Sequence, residues 1–335
     1  MAVGIAAIVR HRLFCRWLCP MGVCMDVASG AGRRLGRRSA RGPRLGQWIV
    51  FLTLGGALLG YPLLLWLDPL AIFAGLFDVT GRAHRPAAWA GASLFFATVA
   101  LSMAWPGVWC SRLCPLGAFQ DLLMQARRSL GALVRRKVAS EEPHITQPHL
   151  VRRTFFGVAA GAVLAKIGRF LGKPLRPLRP PGALPEAEFI GLCTRCGNCV
   201  RACPSGIIQR DLGQNGLAGL LTPTLRFEKD YCREDCVRCT EVCPSGALMP
   251  MRLESKPQAR IGVPEVDMNL CLLGDDRECA ACARWCPYGA IRYVFSEQEY
   301  TLCPQIDPNR CNGCGACEAA CPTKPKKAIV VRPAD

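Results

Sequence analysis

Four runs of cysteines in the carboxyl half constrain this chain more than any other feature. Each run holds four cysteines and ends in Cys-Pro, and the runs begin at positions 193, 232, 271 and 311. The first and fourth runs have the spacing Cys-x2-Cys-x2-Cys-x3-Cys-Pro, and the other two differ only in the first gap. Of the 22 cysteines in the chain, the runs contain Cys193, Cys196, Cys199, Cys203, Cys232, Cys236, Cys239, Cys243, Cys271, Cys279, Cys282, Cys286, Cys311, Cys314, Cys317 and Cys321.

This spacing is typical of [4Fe–4S] sites. Three thiolates on a tight loop bind one cubane, and the fourth cysteine, at the start of a short helix, binds the neighbouring cubane. Structural zinc sites usually use paired Cys-x-x-Cys knuckles, and disulfides, which are typical of secreted chains, do not need a repeated spacing. The runs therefore predict four [4Fe–4S] clusters with these cysteines as ligands.

A short apolar segment follows each run and predicts a strand: "SGII", "SGALM", "YGAIRYVF" and "KAIVV". This repeating unit predicts an α+β ferredoxin-like domain over 188–335, with tandem two-cluster [4Fe–4S] folds. The runs can pair in adjacent order, one with two and three with four, or in nested order, one with four and two with three. Cys303 is left over and is predicted to be a buried free thiol.

The amino-terminal half predicts an α-helical membrane segment. Two apolar stretches, 47–67 and 87–107, are long enough for transmembrane helices. All of the formal net charge of +17 arises in residues 1–184, which fits basic loops on the cytoplasmic side of a membrane. We therefore expect a membrane domain, 1–135, in the bacterial inner (cytoplasmic) membrane. No basic patch interleaved with exposed aromatic residues is present, so nucleic acid is not a predicted partner.

An internal repeat brackets the two apolar stretches. The segment "LFCRWLCPMGVCMDV" at 13–27 aligns with "VWCSRLCPLGAFQDL" at 108–122, so that Cys15 and Cys19 match Cys110 and Cys114. Four matched thiolates are the right number for one further iron–sulfur cluster, and two pairs can also serve two separate sites. Cys24 has no counterpart in the second copy.

The middle of the chain carries the pattern of an export signal. The segment 150–171 contains two arginines, two phenylalanines and an apolar run, "VRRTFFGVAAGAVLA", as a twin-arginine signal or anchor does. The alternative is a short amphipathic helix on the inner membrane face. Residues 172–187 are rich in proline and predict a stiff linker. The start, "MAVGIAAIV", resembles the end of a transmembrane helix, as expected of a truncated membrane domain or of a first turn lying on the membrane surface.

The carboxyl half resembles a known family. The stretch "PPGALPEAEFIGLCTRCGNCVRACP" at 180–204 and the three later runs are similar to the NapG and MauM ferredoxin-type proteins. Residues 1–130 resemble the later half of NapH-type membrane proteins, which carry two Cys-x3-Cys-Pro motifs. The resemblance implies that a partial NapH-like protein is fused to a NapG-like protein.

The same resemblance implies a function. We expect a membrane-anchored electron-transfer subunit that takes electrons from quinol in the quinone pool and passes them to a cytochrome or a periplasmic reductase or dehydrogenase, with a further membrane subunit as another partner. The ferredoxin domain is then expected in the periplasm. The alternatives are a cytoplasm-facing membrane-bound polyferredoxin adapter and a redox-sensing regulatory protein. No residue is predicted to act as an acid–base catalyst.

Overall fold

The computed structural model describes residues 12–39, 42–60, 62–79, 86–138, 148–171, 177–275, 277–297 and 300–334. The predicted end of a transmembrane helix at 1–9 and the first part of the predicted linker, 172–176, lie outside these residues. The chain divides into two compact units. The first comprises Met1–Pro174, Thr194–Cys196 and Gly216–Leu220, and the second comprises Leu175–Cys193, Gly197–Asn215 and Leu221–Asp335.

The first unit is helical. Its helices are α1 (Leu13–Trp17), α2 (Pro20–Arg34), α3 (Leu45–Leu58), α4 (Pro69–Gly75), α5 (Pro86–Ala104), α6 (Pro115–Val138) and α7 (Pro148–Leu171). Short 3-10 turns lie at Leu65–Leu67 and Leu76–Val79, and a π-helical turn lies at Trp109–Leu113. Five of these helices begin at a proline, a position where the missing N–H costs no hydrogen bond and the fixed φ favours the helix.

The prediction of two transmembrane helices is wrong, and with it the prediction of a membrane location. Among the residues that the structure describes, no helix is both long enough and apolar enough to cross a membrane. The stretch 47–67 forms only α3, whose 14 residues span about 21 Å against the roughly 30 Å of a bilayer core.

The segment predicted as a twin-arginine signal is part of the first unit. It lies in α7, which packs closely along α3. The contact depends on small residues, because a Cβ built on Gly55 would lie 2.1 Å from the carbonyl oxygen of Val158, and one on Gly161 would lie 2.4 Å from that of Leu52. The run of small apolar residues in "GVAAGAVLA" therefore serves helix packing in this fold, and an export signal is not supported.

The second unit combines short helices with three two-stranded antiparallel sheets. Its helices are α8 (Glu186–Leu192), α9 (Asn198–Ala202), α11 (Arg238–Glu241), α12 (Ala281–Arg284) and α13 (Ala316–Ala320), with a 3-10 turn at Leu253–Gln258. Between α9 and α11 in the sequence lies α10 (Gly216–Gly219), which belongs to the first unit. The strands are β1 (Ile208–Arg210), β2 (Pro223–Leu225), β3 (Val263–Val266), β4 (Ile291–Ser296), β5 (Thr301–Ile306) and β6 (Ile329–Arg332). The sheets pair β1 with β2, β3 with β6 and β4 with β5.

The strands predicted after the cysteine runs are confirmed in three cases. β1 follows the first run, β4 the third and β6 the fourth. After the second run the chain forms only an isolated bridge between Ala183 and Leu248. The fold is therefore a helical plus small-sheet fold of the ferredoxin type, without the membrane segment that the sequence predicted.

One core joins the two halves of the second unit. Its buried residues include Phe189, Ile208 and Phe227 from the first half and Ile291, Ile329 and Val331 from the second. Phe227 lies against the backbone of Gly315, whose φ is +82° and whose missing Cβ leaves the space that the ring fills. The four cysteine runs are thus held by a common apolar core.

Ordered contacts also hold the residues before the first run. The Arg179 guanidinium is 8% exposed. It pairs with Glu186, donates to the Thr222 hydroxyl (2.9 Å) and to the Pro223 carbonyl (2.7 Å), and lies over the Phe189 ring. The described part of the Pro-rich segment is therefore anchored to the second unit.

The contact between α3 and α7 leads to a stability prediction. Gly161→Ala would place a methyl group against the Leu52 backbone, and such overpacking typically costs about 1–3 kcal/mol. We expect the melting temperature of the helical circular dichroism signal to fall by several degrees. Gly191→Ala is the control, because a Cβ there meets open space at an exposed helical position. Equal melting temperatures for the two variants would contradict this account of the packing.

Candidate iron–sulfur sites

The second cysteine run forms a set with one cysteine of the first run. A cavity in the second unit is lined by Cys232, Cys236 and Cys239 together with Cys203. Its apolar walls come from Ile207, Ile208 and Leu225. The fourth cysteine of run one therefore points to run two, as expected if the two runs pair.

Electrostatics agree with this grouping. Burial raises the pKa of Cys239 to about 12, with smaller contributions from Cys232, Cys203 and Cys236 nearby. Burial also raises the pKa of Cys232. The raised pKa values of Cys232 and Cys239 favour their protonated forms at neutral pH, and a bound metal would have to displace those protons.

The fourth run forms the equivalent set with one cysteine of the third run. Burial raises the pKa of Cys314 to about 12. The bond from the Ala316 N–H acts against this rise, and the neighbouring thiols of Cys286 and Cys311 add to it. Cys286, the fourth cysteine of run three, also contributes to the raised pKa of Cys311, after burial. Runs three and four therefore pair in the same way as runs one and two. Of the two pairings that the sequence allowed, the structure has the adjacent one.

Contacts between the paired runs also involve the residues around the other cysteines. Asn198, next to Cys199, donates to the Val242 carbonyl (3.4 Å), which adjoins Cys243. In the second pair, α12 packs on α13, and Cys282 is among the thiols close to Cys317. The two runs of each pair are thus in contact beyond the fourth cysteine that the earlier run gives to the later one.

Backbone and hydroxyl donors point at the sulfurs of fourth cysteines. The Leu248 N–H donates to Cys243 Sγ (3.4 Å), and the Ala290 N–H donates to Cys286 Sγ (3.3 Å). Burial acts to raise the pKa of Cys243, but the donors at Leu248, Ser245 and Gly246 outweigh it, so that the pKa is lowered. The pKa of Cys321 is lowered in the same way against burial, chiefly by the Thr323 hydroxyl and N–H. These donors stabilise negative charge on sulfur.

The two Cys-x3-Cys-Pro motifs of the first unit form one group of thiols. Burial raises the pKa of Cys110 to about 12, and Cys15 and Cys19 are among the nearby groups that add to the rise. Burial raises the pKa of Cys114 to about 12, with Cys15 and Cys110 again nearby. The Gln120 side-chain amide donates to Cys15 Sγ (3.2 Å). This arrangement favours one shared site over two separate sites.

The repeat in the sequence is a repeat in geometry. Cys19 and Cys114 each precede a helix that begins at proline, and each sulfur accepts N–H groups from the second and third residues that follow it. The third residue after the cysteine is a glycine in both copies, Gly22 and Gly117. A Cβ on Gly22 would lie 2.3 Å from the Cys15 carbonyl oxygen, and one on Gly117 would lie 2.9 Å from that of Cys110. Glycine therefore lets the two halves of each motif approach.

An arginine-lined cavity lies beside this group. It has a volume of about 390 Å³ and is lined in part by Arg12, Arg44, Arg112, Arg128 and Asp121. Arg12 forms a two-pronged ion pair with Asp121 (2.9 and 2.6 Å) and donates to the Cys110 carbonyl (3.2 Å). The cavity and the thiol group are therefore connected through one side chain. Sequence reasoning missed Arg12, because arginine is common in this half of the chain.

The donor sets fit iron–sulfur clusters in their chemistry. None of the 22 cysteines forms a disulfide, and the sets combine thiols, apolar walls and N–H donors. In the described part of the chain, no three His, Cys, Asp or Glu side chains lie close enough to hold a single metal ion. A cubane needs a wider set, because each thiolate binds a different iron atom. Cys24 and Cys303 are both half-buried and neither forms a disulfide, so Cys303 is less buried than predicted.

Comparisons with known proteins agree with this assignment. A family model described as a 4Fe-4S dicluster domain matches residues 192–247 and 277–324, and one described as a 4Fe-4S binding domain matches residues 1–38 and 87–138. The second model covers both Cys-x3-Cys-Pro motifs. No solved structure matches the chain.

The fold, the thiol sets and the dicluster match define a ferredoxin-type iron–sulfur electron-transfer protein. The methylamine utilization ferredoxin-type protein MauM of Methylophilus methylotrophus is 34% identical over 196 residues, which are 55% of this chain and 85% of that protein. The ferredoxin-type protein NapG of Escherichia coli K12 is 37% identical over 154 residues, 43% of this chain and 65% of that protein. The chain belongs to the family of ferredoxin-type proteins that includes MauM and NapG.

The glycines of the amino-terminal motifs lead to a prediction about metal content. Gly22→Ala would force the Cys15 backbone away from α2, so we expect the iron content to fall by about four atoms per chain. Gly30→Ala lies in the same helix, and its Cβ meets no atom within 4 Å, so it should keep the iron content of the parent. Iron and protein analysis of anaerobically purified samples measures both. Equal iron contents would show that the close approach at Gly22 is not needed for a metal site.

Proposed function

We propose that this protein is an electron relay with five [4Fe–4S] clusters. The sixteen cysteines of the four runs hold four of them, and Cys15, Cys19, Cys110 and Cys114 hold the fifth. The observation that carries the proposal is the cavity lined by Cys203 together with Cys232, Cys236 and Cys239. A run that delivers its fourth thiol to its neighbour is the arrangement of two-cluster ferredoxins.

The contacts order the four sets. We propose that runs one and two exchange fourth cysteines and that runs three and four do the same. The link between the pairs is made by run two and run four, because the Cys232 N–H donates to the Cys314 carbonyl (2.9 Å). The order is therefore one, two, four, three, with the sets of runs one and three at the ends.

A bound [4Fe–4S] cluster supplies one-electron transfer without a change in bonding of the protein. The residues of the chain provide the rest. Phe227, Ile208 and Ile291 exclude water from the inner sets. N–H groups such as those of Leu248 and Ala290 hold sulfurs in place and stabilise their negative charge.

The proposed electron donor is a quinol, and the proposed acceptor is a redox protein such as a cytochrome, a reductase or a dehydrogenase. The arginine-lined cavity supports a quinol as the electron donor, because guanidinium N–H groups can donate to the oxygens of a quinol or quinone. Its contact with the Cys110 backbone through Arg12 links it to the amino-terminal thiols. We propose that this part of the chain is related to NapH-type proteins. The family membership supports a redox protein as the electron acceptor, since the relative MauM is named for methylamine utilization.

The pairing can be tested by replacing single cysteines by serine. Cys203→Ser should change the electron paramagnetic resonance signal of the same cluster as Cys236→Ser. Cys243→Ser should change the signal of the same cluster as Cys199→Ser. The reduced wild-type protein should contain about twenty iron atoms per chain.

Two results would contradict the proposal. If Cys203→Ser and Cys199→Ser affect one signal and Cys236→Ser affects another, each run holds its own cluster. If the anaerobically purified chain contains zinc in place of iron, the electron-relay function is wrong.

The donor site can be tested with two neighbouring arginines. Arg128 lines the cavity and Arg127 is not among its lining residues. Loss of one hydrogen bond of about 1 kcal/mol predicts that Arg128→Gln slows cluster reduction by a water-soluble quinol about fivefold. Arg127→Gln removes the same charge and should leave the rate unchanged. Stopped-flow absorbance at the cluster bands measures both rates, and equal slowing by both variants would assign the effect to net charge instead of the cavity.

A further inference from the structure

Lys256 is a fully buried lysine in the second unit. It lies in the 3-10 turn Leu253–Gln258, and its relative exposure is 0%. Its Nζ donates to the carbonyl oxygens of Arg233 (2.6 Å) and Cys236. Both acceptors belong to the loop of run two, so the ammonium group lies directly behind the Cys203–Cys232–Cys236–Cys239 set.

Among the described residues, the charge of Lys256 lacks an acidic partner. No carboxylate in the described part of the chain forms an ion pair with it. An isolated buried ammonium is costly unless an anion lies near it. The Lys256 ammonium also lies near the Cys232 thiol and acts to lower the pKa of that thiol against the larger effect of burial. Four thiolates and a cluster would supply the missing negative charge at this place.

Three other cations near the runs are placed differently. Arg195, between Cys193 and Cys196, is also buried, but its guanidinium donates to the carbonyls of Leu220 (3.0 Å) and Ala218 (2.7 Å), and the Asp68 carboxylate lies near it. Lys327 Nζ donates to the Cys321 carbonyl, but this lysine is only half-buried and lies near the Glu318 carboxylate. Arg233 lines the run-two cavity, but it is 51% exposed and pairs with Asp230. Water or a carboxylate screens each of these charges, whereas the charge of Lys256 is screened by neither.

We propose that the Lys256 ammonium raises the reduction potential of the cluster in the Cys203–Cys232–Cys236–Cys239 set, so that this set is the preferred resting place of the electron among the four. This inference rests on the proposed function. Reduction adds one electron from an external donor and one negative charge to the set, and no bond forms or breaks. A buried cation close to that added charge stabilises the reduced state more than the oxidised state.

The raised potential affects electron flow, because the run-two set lies between two other sets. Run two lies between run one and run four in the order of contacts, and the Cys232 N–H to Cys314 carbonyl bond is its link to run four. An electron entering at either end would therefore collect at an inner set. The chain then holds charge until a partner with a higher potential binds.

The test is a potentiometric titration of the full chain, followed by electron paramagnetic resonance. Lys256→Gln keeps a hydrogen-bond donor for the two carbonyls and removes the charge. At the potential where the wild-type set is half reduced, we expect the ratio of reduced to oxidised cluster to fall at least tenfold, which corresponds to about 59 mV. Lys256→Arg keeps the charge and should stay within threefold of the wild type. Lys327→Gln is the control for a partly exposed lysine beside a run and should also stay within threefold.

The outcomes separate this inference from the proposed function. An unchanged ratio in Lys256→Gln with full iron content would overturn the role of Lys256 and leave the relay intact. Absence of iron and of cluster signals from the wild-type chain would overturn the proposed function itself.

If Lys256→Gln loses iron, a second measurement decides. In the otherwise unchanged chain, Cys236→Ser should shift the signal with the highest potential, and Cys279→Ser should leave that signal in place. A highest-potential signal that survives Cys236→Ser unchanged would overturn the inference.

Discussion

The placement of the fourth thiol of one run beside the thiols of the next run is the constraint on which the second unit depends. Cys203 can reach the loop of run two only if the chain after run one turns back, and the β1–β2 hairpin is that turn. Cys286 can likewise reach the loop of run four only if the chain after run three turns back, and the β4–β5 hairpin is that turn. The sheets are small because they serve this return of the chain. The apolar side chains that close over the sets, such as Phe227 and Ile291, form the core as a consequence.

A second device recurs in both units and has one physical basis. A cysteine followed by proline stands at a chain reversal or a helix start, where backbone N–H groups have no partner within the element. These groups point at the sulfur, as at Cys114 with the Gly117 N–H and at Cys243 with the Leu248 N–H. Proline gives up its own N–H where it is not needed. The motif therefore concentrates hydrogen-bond donors around a sulfur without any charged side chain.

The sequence predicts the local chemistry well and the distant contacts poorly. The spacing of the runs and the alignment of Cys15 and Cys19 with Cys110 and Cys114 are local patterns, and the structure brings these thiols together. The pairing of runs depends on tertiary contacts such as that between the Cys232 N–H and Cys314, which no spacing encodes. The transmembrane prediction failed because hydropathy does not show that Gly55 and Gly161 allow close packing of α3 on α7. Lys256 lies in the ordinary polar stretch "ESKPQAR", and only the fold reveals its burial.

Identical spacing does not imply identical electrochemistry. Runs one and four share the same pattern of gaps, yet their surroundings differ: Cys317 is buried next to other thiols, whereas Cys199 is only partly buried. Burial disfavours added negative charge, and N–H donors or a nearby cation favour it. Each set therefore has its own balance of these effects, and the side chains outside the motifs decide it. A family can keep the cysteine pattern and still redirect electron flow by changing one buried residue behind a loop, and Lys256 occupies such a position in this chain.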